Sequence, residues 1–147
     1  MDSTIPPAEN VTAPLVTLRG VSKEYSLEGR IVQALRAVDL DVERGRFLAV
    51  IGRSGCGKST LLNLLGGLDR PSSGEIRVDN QALHTLNEKQ LTHYRRFTAG
   101  IVFQFFNLLP LLTATENAAL PALLAGRSPQ ESQEKARALL ESVGLGE

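Results

Sequence analysis

The residues Gly52-Arg-Ser-Gly-Cys-Gly-Lys-Ser59 set glycines, a lysine and a hydroxyl residue in the order G-x-x-x-x-G-K-[ST], the P-loop pattern. That order suits one kind of chemistry, the cradling of phosphates. Glycines at 52, 55 and 57 let the backbone turn tightly and come close to an anion, with successive N–H groups converging at the positive end of a following helix. Lys58 can then reach β- and γ-phosphates as a mobile point charge, and the Ser59 hydroxyl is placed to bind a Mg²⁺ bridging them. The plain alternative is a glycine-rich strand-to-helix turn that binds nothing.

The elements around the loop decide between these. Phe47 to Ile51 is an unbroken apolar run that reads as a buried strand, and Leu61, Leu62, Leu64, Leu65 and Leu68 recur at helical spacing. Strand, glycine loop and helix is the context that phosphate binding requires, so the chain is expected to bind a nucleotide through Gly52, Arg53, Ser54, Gly55, Cys56, Gly57, Lys58, Ser59 and Thr60.

Composition narrows the partners. The chain has 147 residues, and its 16 basic and 16 acidic residues cancel, which gives no reason to invoke nucleic acid. Its one cysteine cannot form an internal disulfide. No apolar run approaches the length that spans a bilayer, and the N-terminus has polar and proline residues where a signal peptide would be apolar.

Residues 1–14 carry three of the prolines and little apolar periodicity, and are expected to be a disordered leader. Leu15 to Leu18 and Ala37 to Val42 read as strands, with Tyr25 in a polar, glycine-ended connection between them. Gly66 and Gly67 should stop the P-loop helix, and Asp69 to Gly74 is a turn cluster. Glu75 to Val78 and Gln81 to Leu83 predict a hairpin about Asp79 and Asn80. Asn87 with Gln90 predicts a capped helix to about Arg96, and Gly100 to Gln104 a second buried strand. Thr113 with Glu116, and Ser128 with Glu131, predict two further capped helices; Pro121 should bend or split the first, and Gly144 should end the second. His84 and His93 fall in no motif and are expected at the surface or in loops.

Several of these stretches together resemble the ATP-binding subunit of ABC transporters, most closely its lipoprotein-releasing and macrolide-export branch. The resemblance runs from about Val16 to Gly146 and rests on the Walker A loop Gly52 to Thr60, Tyr25, the turn Gly67 to Gly74, and Val102 to Pro110. It implies that the nucleotide is ATP with Mg²⁺, that Tyr25 stacks on adenine, and that Gln104 is the Q-loop residue meeting Mg²⁺ and the attacking water, so that Lys58 and Gln104 are the catalytic residues and Ser59 and Gln104 the metal-binding ones. It also implies membrane partner subunits reached through Phe105, Phe106, Leu108 and Leu109, a second copy of the ATP-binding subunit, and a cytoplasmic place on the inner face of the membrane.

The fold expected is α/β, a P-loop NTPase fold of ABC type, incomplete, with an antiparallel β subdomain and a helical subdomain. Its core and β subdomain fall within 15–112 and the start of the helical subdomain within 113–147. The family's LSGGQ signature, Walker B carboxylates and switch histidine have no match here. Val38 to Asp41 precedes the P-loop, and Arg77 breaks the apolar run before Asp79, so neither serves as Walker B. Apolar strand surface should therefore remain unpaired, and the chain alone is expected to be inactive in hydrolysis. The alternative function is a truncated, non-catalytic ATP-binding or interaction fragment. A GTPase is disfavoured because no N/T-K-x-D motif occurs.

Overall fold

The computed structural model describes residues 13–27 and 29–146. The expected leader lies outside the described residues through position 12. Strands β1 (Val16–Leu27), β2 (Arg30–Val42), β3 (Ser73–Val78) and β4 (Gln81–Ala82) form one antiparallel sheet in the order β2-β1-β3-β4. Helix α1 (Lys58–Leu65) follows the glycine loop, and α2 (Glu88–Phe97), α3 (Ala114–Leu124) and α4 (Pro129–Ser142) follow the sheet. The chain divides into two compact units, residues 1–91 and 92–147.

In the first unit, register follows apolar alternation. Leu18 lies opposite Leu40 on β2 and Ile76 on β3, so three apolar side chains share one face of the sheet. Leu18, Val21 and Ile76 are fully buried. Burying each stabilises the fold by roughly 1.5–3 kcal/mol. Leu18 and Val21 are three positions apart rather than two because the β1–β2 register shifts between them, a bulge that resets the alternation. Leu61 and Leu64 bury the inner face of α1.

The structure corrects the reading of Tyr25 as part of a connection. Strand β1 runs on through it, and Tyr25 pairs with Val32. The stretch from Arg30 to Leu35 supplies a partner ladder, and pairing outweighs the polar composition that argued for a loop. The hairpin about Asp79 and Asn80 is as expected, both residues taking positive φ (48° and 63°) as a type I′ turn requires. Strand β4 is one residue shorter than expected, because Leu83 opens a 3-10 turn to Thr85 and buries its side chain there.

The two central strands expected at Phe47–Ile51 and Gly100–Gln104 do not form. Phe47 is 95% exposed and Val102 fully so, and neither segment has a ladder partner among the described residues. A strand exists only through its neighbours, and a parallel core strand needs one on each side. The apolar residues of these two runs are left exposed on irregular backbone instead.

Helix termini match their local signals. Asn87 and Gln90 exchange side-chain to backbone bonds at 2.9 and 3.0 Å before α2. Thr113 with Glu116 and Ser128 with Glu131 form reciprocal capping boxes on α3 and α4, with Pro129 in the first turn of α4. After α4, Gly144 at φ 78° lets the N–H of Leu145 bond back to the carbonyl of Leu140 at 2.8 Å. Pro121 does not split α3. Its ring removes one hydrogen bond near the C-terminal end, and the final turn is knit by the N–H of Ala125 on the Pro121 carbonyl at 3.0 Å.

In the second unit α3 and α4 pack together, with Ala119, Ser132 and Ala136 buried. The buried Ser132 hydroxyl is satisfied locally, donating to the Ser128 carbonyl at 2.8 Å.

Candidate nucleotide site

The glycine loop leads into the first turn of α1 through Gly57, whose φ of 94° is left-handed. A Cβ at Gly57 would lie 2.5 Å from the Ala34 carbonyl oxygen and 2.9 Å from Leu35 on β2, so loop and sheet approach as closely as only glycine allows. No side chain caps α1, no acid stands in its first turn, and its first intrahelical bond runs from Leu61 N–H to the Gly57 carbonyl. The N–H groups of Lys58, Ser59 and Thr60 therefore have no intrahelical acceptor, at the positive end of the helix dipole. This arrangement receives an anion without further rearrangement of the helix.

Lys58 lies across its own loop. Its ammonium donates to the carbonyls of Gly52 and Arg53, each at 2.8 Å, and rests 3.6 Å from the Cys56 sulfur. Cys56 is exposed, its sulfur against Gly52, where an added Cβ would meet it at 2.6 Å. The lysine ammonium, the thiol and two carbonyls thus lie together at the loop. Ser59 is exposed at the first helical turn.

Tyr25 stands beside this loop in the same unit. Its hydroxyl donates to Asp69 at 2.8 Å, and the Thr60 side chain on α1 acts to lower its pKa. Burial, reinforced by the Asp69 carboxylate, raises the Tyr25 pKa above the usual phenol value. Asp69 also accepts from the Lys23 ammonium at 2.6 Å and from the Arg70 N–H at 2.7 Å. Burial pushes the Asp69 carboxyl up, but the bonds from Lys23, Arg70 and Tyr25 together outweigh it and hold the group below the usual range. Lys23 sits over the Tyr25 ring, 4.8 Å from its centroid. Sequence reasoning singled out Tyr25 but saw Asp69 only as part of a turn and Lys23 not at all; nothing local marks a contact across 44 positions.

Gln104 and the apolar residues after it belong to the second unit. Gln104 is exposed at a bend. Phe106, Leu108 and Leu109, with Phe103, Leu120 and Leu124, line a groove of about 480 Å³, while Phe105 is 78% exposed outside it. The groove's loop is held by Asn117, a residue that no motif points to. Its side-chain amide lies 3.0–3.1 Å from the carbonyls of Leu109, Leu112 and Thr113.

The acids considered as stand-ins for Walker B have other partners. Asp39 accepts from Gly20 N–H at 2.7 Å, Asp41 pairs with Arg19, and Asp79 with Arg44. His93 is exposed against Phe97 with ring centroids 4.6 Å apart; His84 is half-buried, its Nδ1 3.2 Å from the Ile76 N–H. Among the described residues no cluster of His, Cys, Asp or Glu could hold a metal, and no helix is long and apolar enough to cross a membrane.

A glycine-cradled helix N-terminus with a lysine over it defines a phosphate-binding loop protein. The chain belongs to the ABC transporter family, whose family model matches residues 35–147. It is 44% identical over 135 residues to the lipoprotein-releasing system ATP-binding protein LolD of Saccharophagus degradans, covering 92% of this chain and 59% of that protein. It is 45% identical over 135 residues to the macrolide export ATP-binding/permease protein MacB 1/2 of Paracoccus denitrificans, covering 92% of this chain and 20% of that one. The dimeric ATP-binding cassette MJ0796 bound to ADP and phosphate superposes with a TM-score of 0.80 at 42% identity, over 86% of this chain and 56% of that chain. The chain thus spans a little over half the length of the LolD protein and of the MJ0796 cassette, and its fold is part of an ABC-type P-loop fold.

Proposed function

We propose that the chain is the Mg-ATP-binding portion of an ABC transporter ATPase subunit, in which ATP binding and hydrolysis drive export through membrane partner subunits. The observation that carries this reading is the first turn of α1, with N–H groups that have no intrahelical acceptor and the Lys58 ammonium gathered over the loop. In the proposed complex Lys58 leaves the Gly52 and Arg53 carbonyls for the β- and γ-phosphates. Ser59 holds Mg²⁺, Tyr25 stacks on adenine, and Gln104 positions the attacking water. Bound Mg²⁺ supplies charge neutralisation on the transferred phosphoryl group.

The groove lined by Phe106, Leu108 and Leu109 is the proposed docking surface for a membrane subunit, because its apolar residues lie exposed beside the Q-loop glutamine. In this reading the chain works on the cytoplasmic face of the membrane; a second ATP-binding copy beside it is supported by the dimeric state of the related cassette. The experiment is nucleotide titration of the chain and of Lys58→Ala. Loss of Mg-ATP affinity in the variant by at least about tenfold is expected from removing a charge on phosphate. Equal affinities would reduce the loop to a turn.

A second reading, that this chain alone binds ATP without turning it over, is favoured by the unpaired stretches at Phe47–Ile51 and Gly100–Gln104, which leave the catalytic core without a complete sheet. Phosphate release at background rate, with binding intact, is the expected result. Steady release abolished by Lys58→Ala would overturn it.

A further inference from the structure

Asp69 lies in the turn that follows α1, yet its carboxylate reaches β1. One oxygen accepts from Lys23 at 2.6 Å and the other from the Tyr25 hydroxyl at 2.8 Å. The pair with Lys23 is not an ordinary surface ion pair, since the Lys23 side chain is only 12% exposed and also donates to the Arg70 carbonyl at 2.8 Å. Shielding from water makes such charge-assisted bonds stronger and more directional than exposed ones. Because Asp69 sits three residues beyond the Gly66 cap of α1, the same short segment carries the phosphate loop at one end and the tether of Tyr25 at the other. Lys23 covers one face of the ring.

We propose that Asp69 is a positioning residue for nucleotide: with Lys23 it fixes the Tyr25 ring at a set height beside the P-loop helix, so that a purine stacks on the face opposite Lys23 while its phosphates lie in the loop. This rests on the reading of Tyr25 as the base platform. A flexible aromatic ring would lose rotamer freedom each time a base bound, whereas a ring held at both its hydroxyl and one face has already lost it. The tether therefore acts on the base half of the ligand and leaves the phosphate half alone. A residue that merely stabilised the fold would act on both.

That difference is the test. Affinities for Mg-ATP and for inorganic tripolyphosphate, which has the phosphates and no base, are measured for the chain and for Asp69→Asn, Tyr25→Phe and Tyr25→Ala. Tyr25→Ala should weaken ATP by about 5- to 150-fold through lost stacking. Asp69→Asn, which removes the charge that holds Lys23 over the ring, and Tyr25→Phe, which removes the hydroxyl bond, keep the ring but loosen its tether, and should each weaken ATP by about three- to tenfold. All three should leave tripolyphosphate unchanged.

If Tyr25→Ala binds ATP normally, the base platform itself is wrong and the proposal falls with it. If Tyr25→Ala loses affinity while Tyr25→Phe keeps it, stacking stands and the positioning role of Asp69 is refuted. Should Asp69→Asn lose both ligands through misfolding, the Tyr25→Phe variant, which changes no charge, decides by the same two measurements.

Discussion

Asn117 and Leu109 hold each other by two hydrogen bonds: the Leu109 N–H donates to the Asn117 side-chain oxygen at 2.8 Å, and the Asn117 amide donates to the Leu109 carbonyl at 3.1 Å. The side chain thereby acts as a short strand for the loop, satisfying both backbone groups of one residue where no secondary structure does. Because the same amide also lies 3.0 Å from the Leu112 and Thr113 carbonyls, one side chain on α3 shapes the whole approach to that helix.

Asn117→Ala should leave these loop groups to water and destabilise the second unit by about 1–2 kcal/mol. Hydrogen exchange reads it directly. The Leu109 amide should lose its protection, while amides in the middle of α4 should keep theirs. Unaltered exchange at Leu109 would mean that the loop is held by its apolar contacts instead.

Gly57→Ala and Gly55→Ala should differ sharply. Both positions have left-handed φ, 94° and 79°, which costs an L-residue about 1–2 kcal/mol. A Cβ at 57 would also strike the Ala34 carbonyl and Leu35, whereas at 55 nothing lies within 4 Å. Gly57→Ala should therefore be much the less stable to heat and should lose nucleotide binding. Equal melting temperatures would show that the loop stands off from β2 in solution.

The capping glutamates predict an acid-side loss of stability. Backbone and side-chain bonds from Thr113 hold the Glu116 carboxyl below its ordinary value of 4.5, and bonds from the Ser128 side chain and backbone do the same for Glu131. A depressed folded-state pKa contributes stability that is present above 4.5 and lost as pH falls toward and through the depressed value. Thermal melts of the chain between pH 6 and 3 should show a decline steepening below about 4.5. Replacing both Thr113 and Ser128 by alanine should lower stability at pH 6 and flatten that decline. A double variant with the same pH profile as the parent would remove the caps as its cause.

Cys56 offers a direct probe of loop occupancy. The thiol is exposed, and its sulfur lies 3.6 Å from the ammonium proposed to move onto phosphate. Bound Mg-ATP should slow alkylation of Cys56, and prior alkylation should block nucleotide. In Lys58→Ala the protection should vanish. Labelling indifferent to nucleotide in the unmodified chain would place the thiol outside the cradle.

What the sequence disclosed divides by range. Caps at Asn87, Thr113 and Ser128, the turn at Asp79 and Asn80, and the glycine loop are settled by residues within seven positions of one another, and these are legible. Tyr25 was identified by resemblance, but its tether to Asp69 is a contact across 44 positions with no periodic signal. The runs at Phe47–Ile51 and Gly100–Gln104 have strand composition, but strand formation belongs to a pair of segments and no single segment can declare it. Asn117 escaped notice for a related reason: an asparagine inside a helical pattern gives no sign of which carbonyls it will serve.

The two unpaired apolar stretches are not equally guarded against sticking to other chains. Arg44 and Arg46, paired with Asp79 and Glu43, precede Phe47–Ile51 and Arg53 follows it, so stacking of this run with another copy would have to desolvate charged groups. From Phe97 to Thr115 no residue carries charge, and Gly100 and Pro110 are the breakers. Val102 and Phe105 lie open within that span. Amyloid-like self-association, where it begins, should begin there, and a gatekeeper such as Val102→Lys should suppress concentration-dependent light scattering far more than a lysine placed at Leu48.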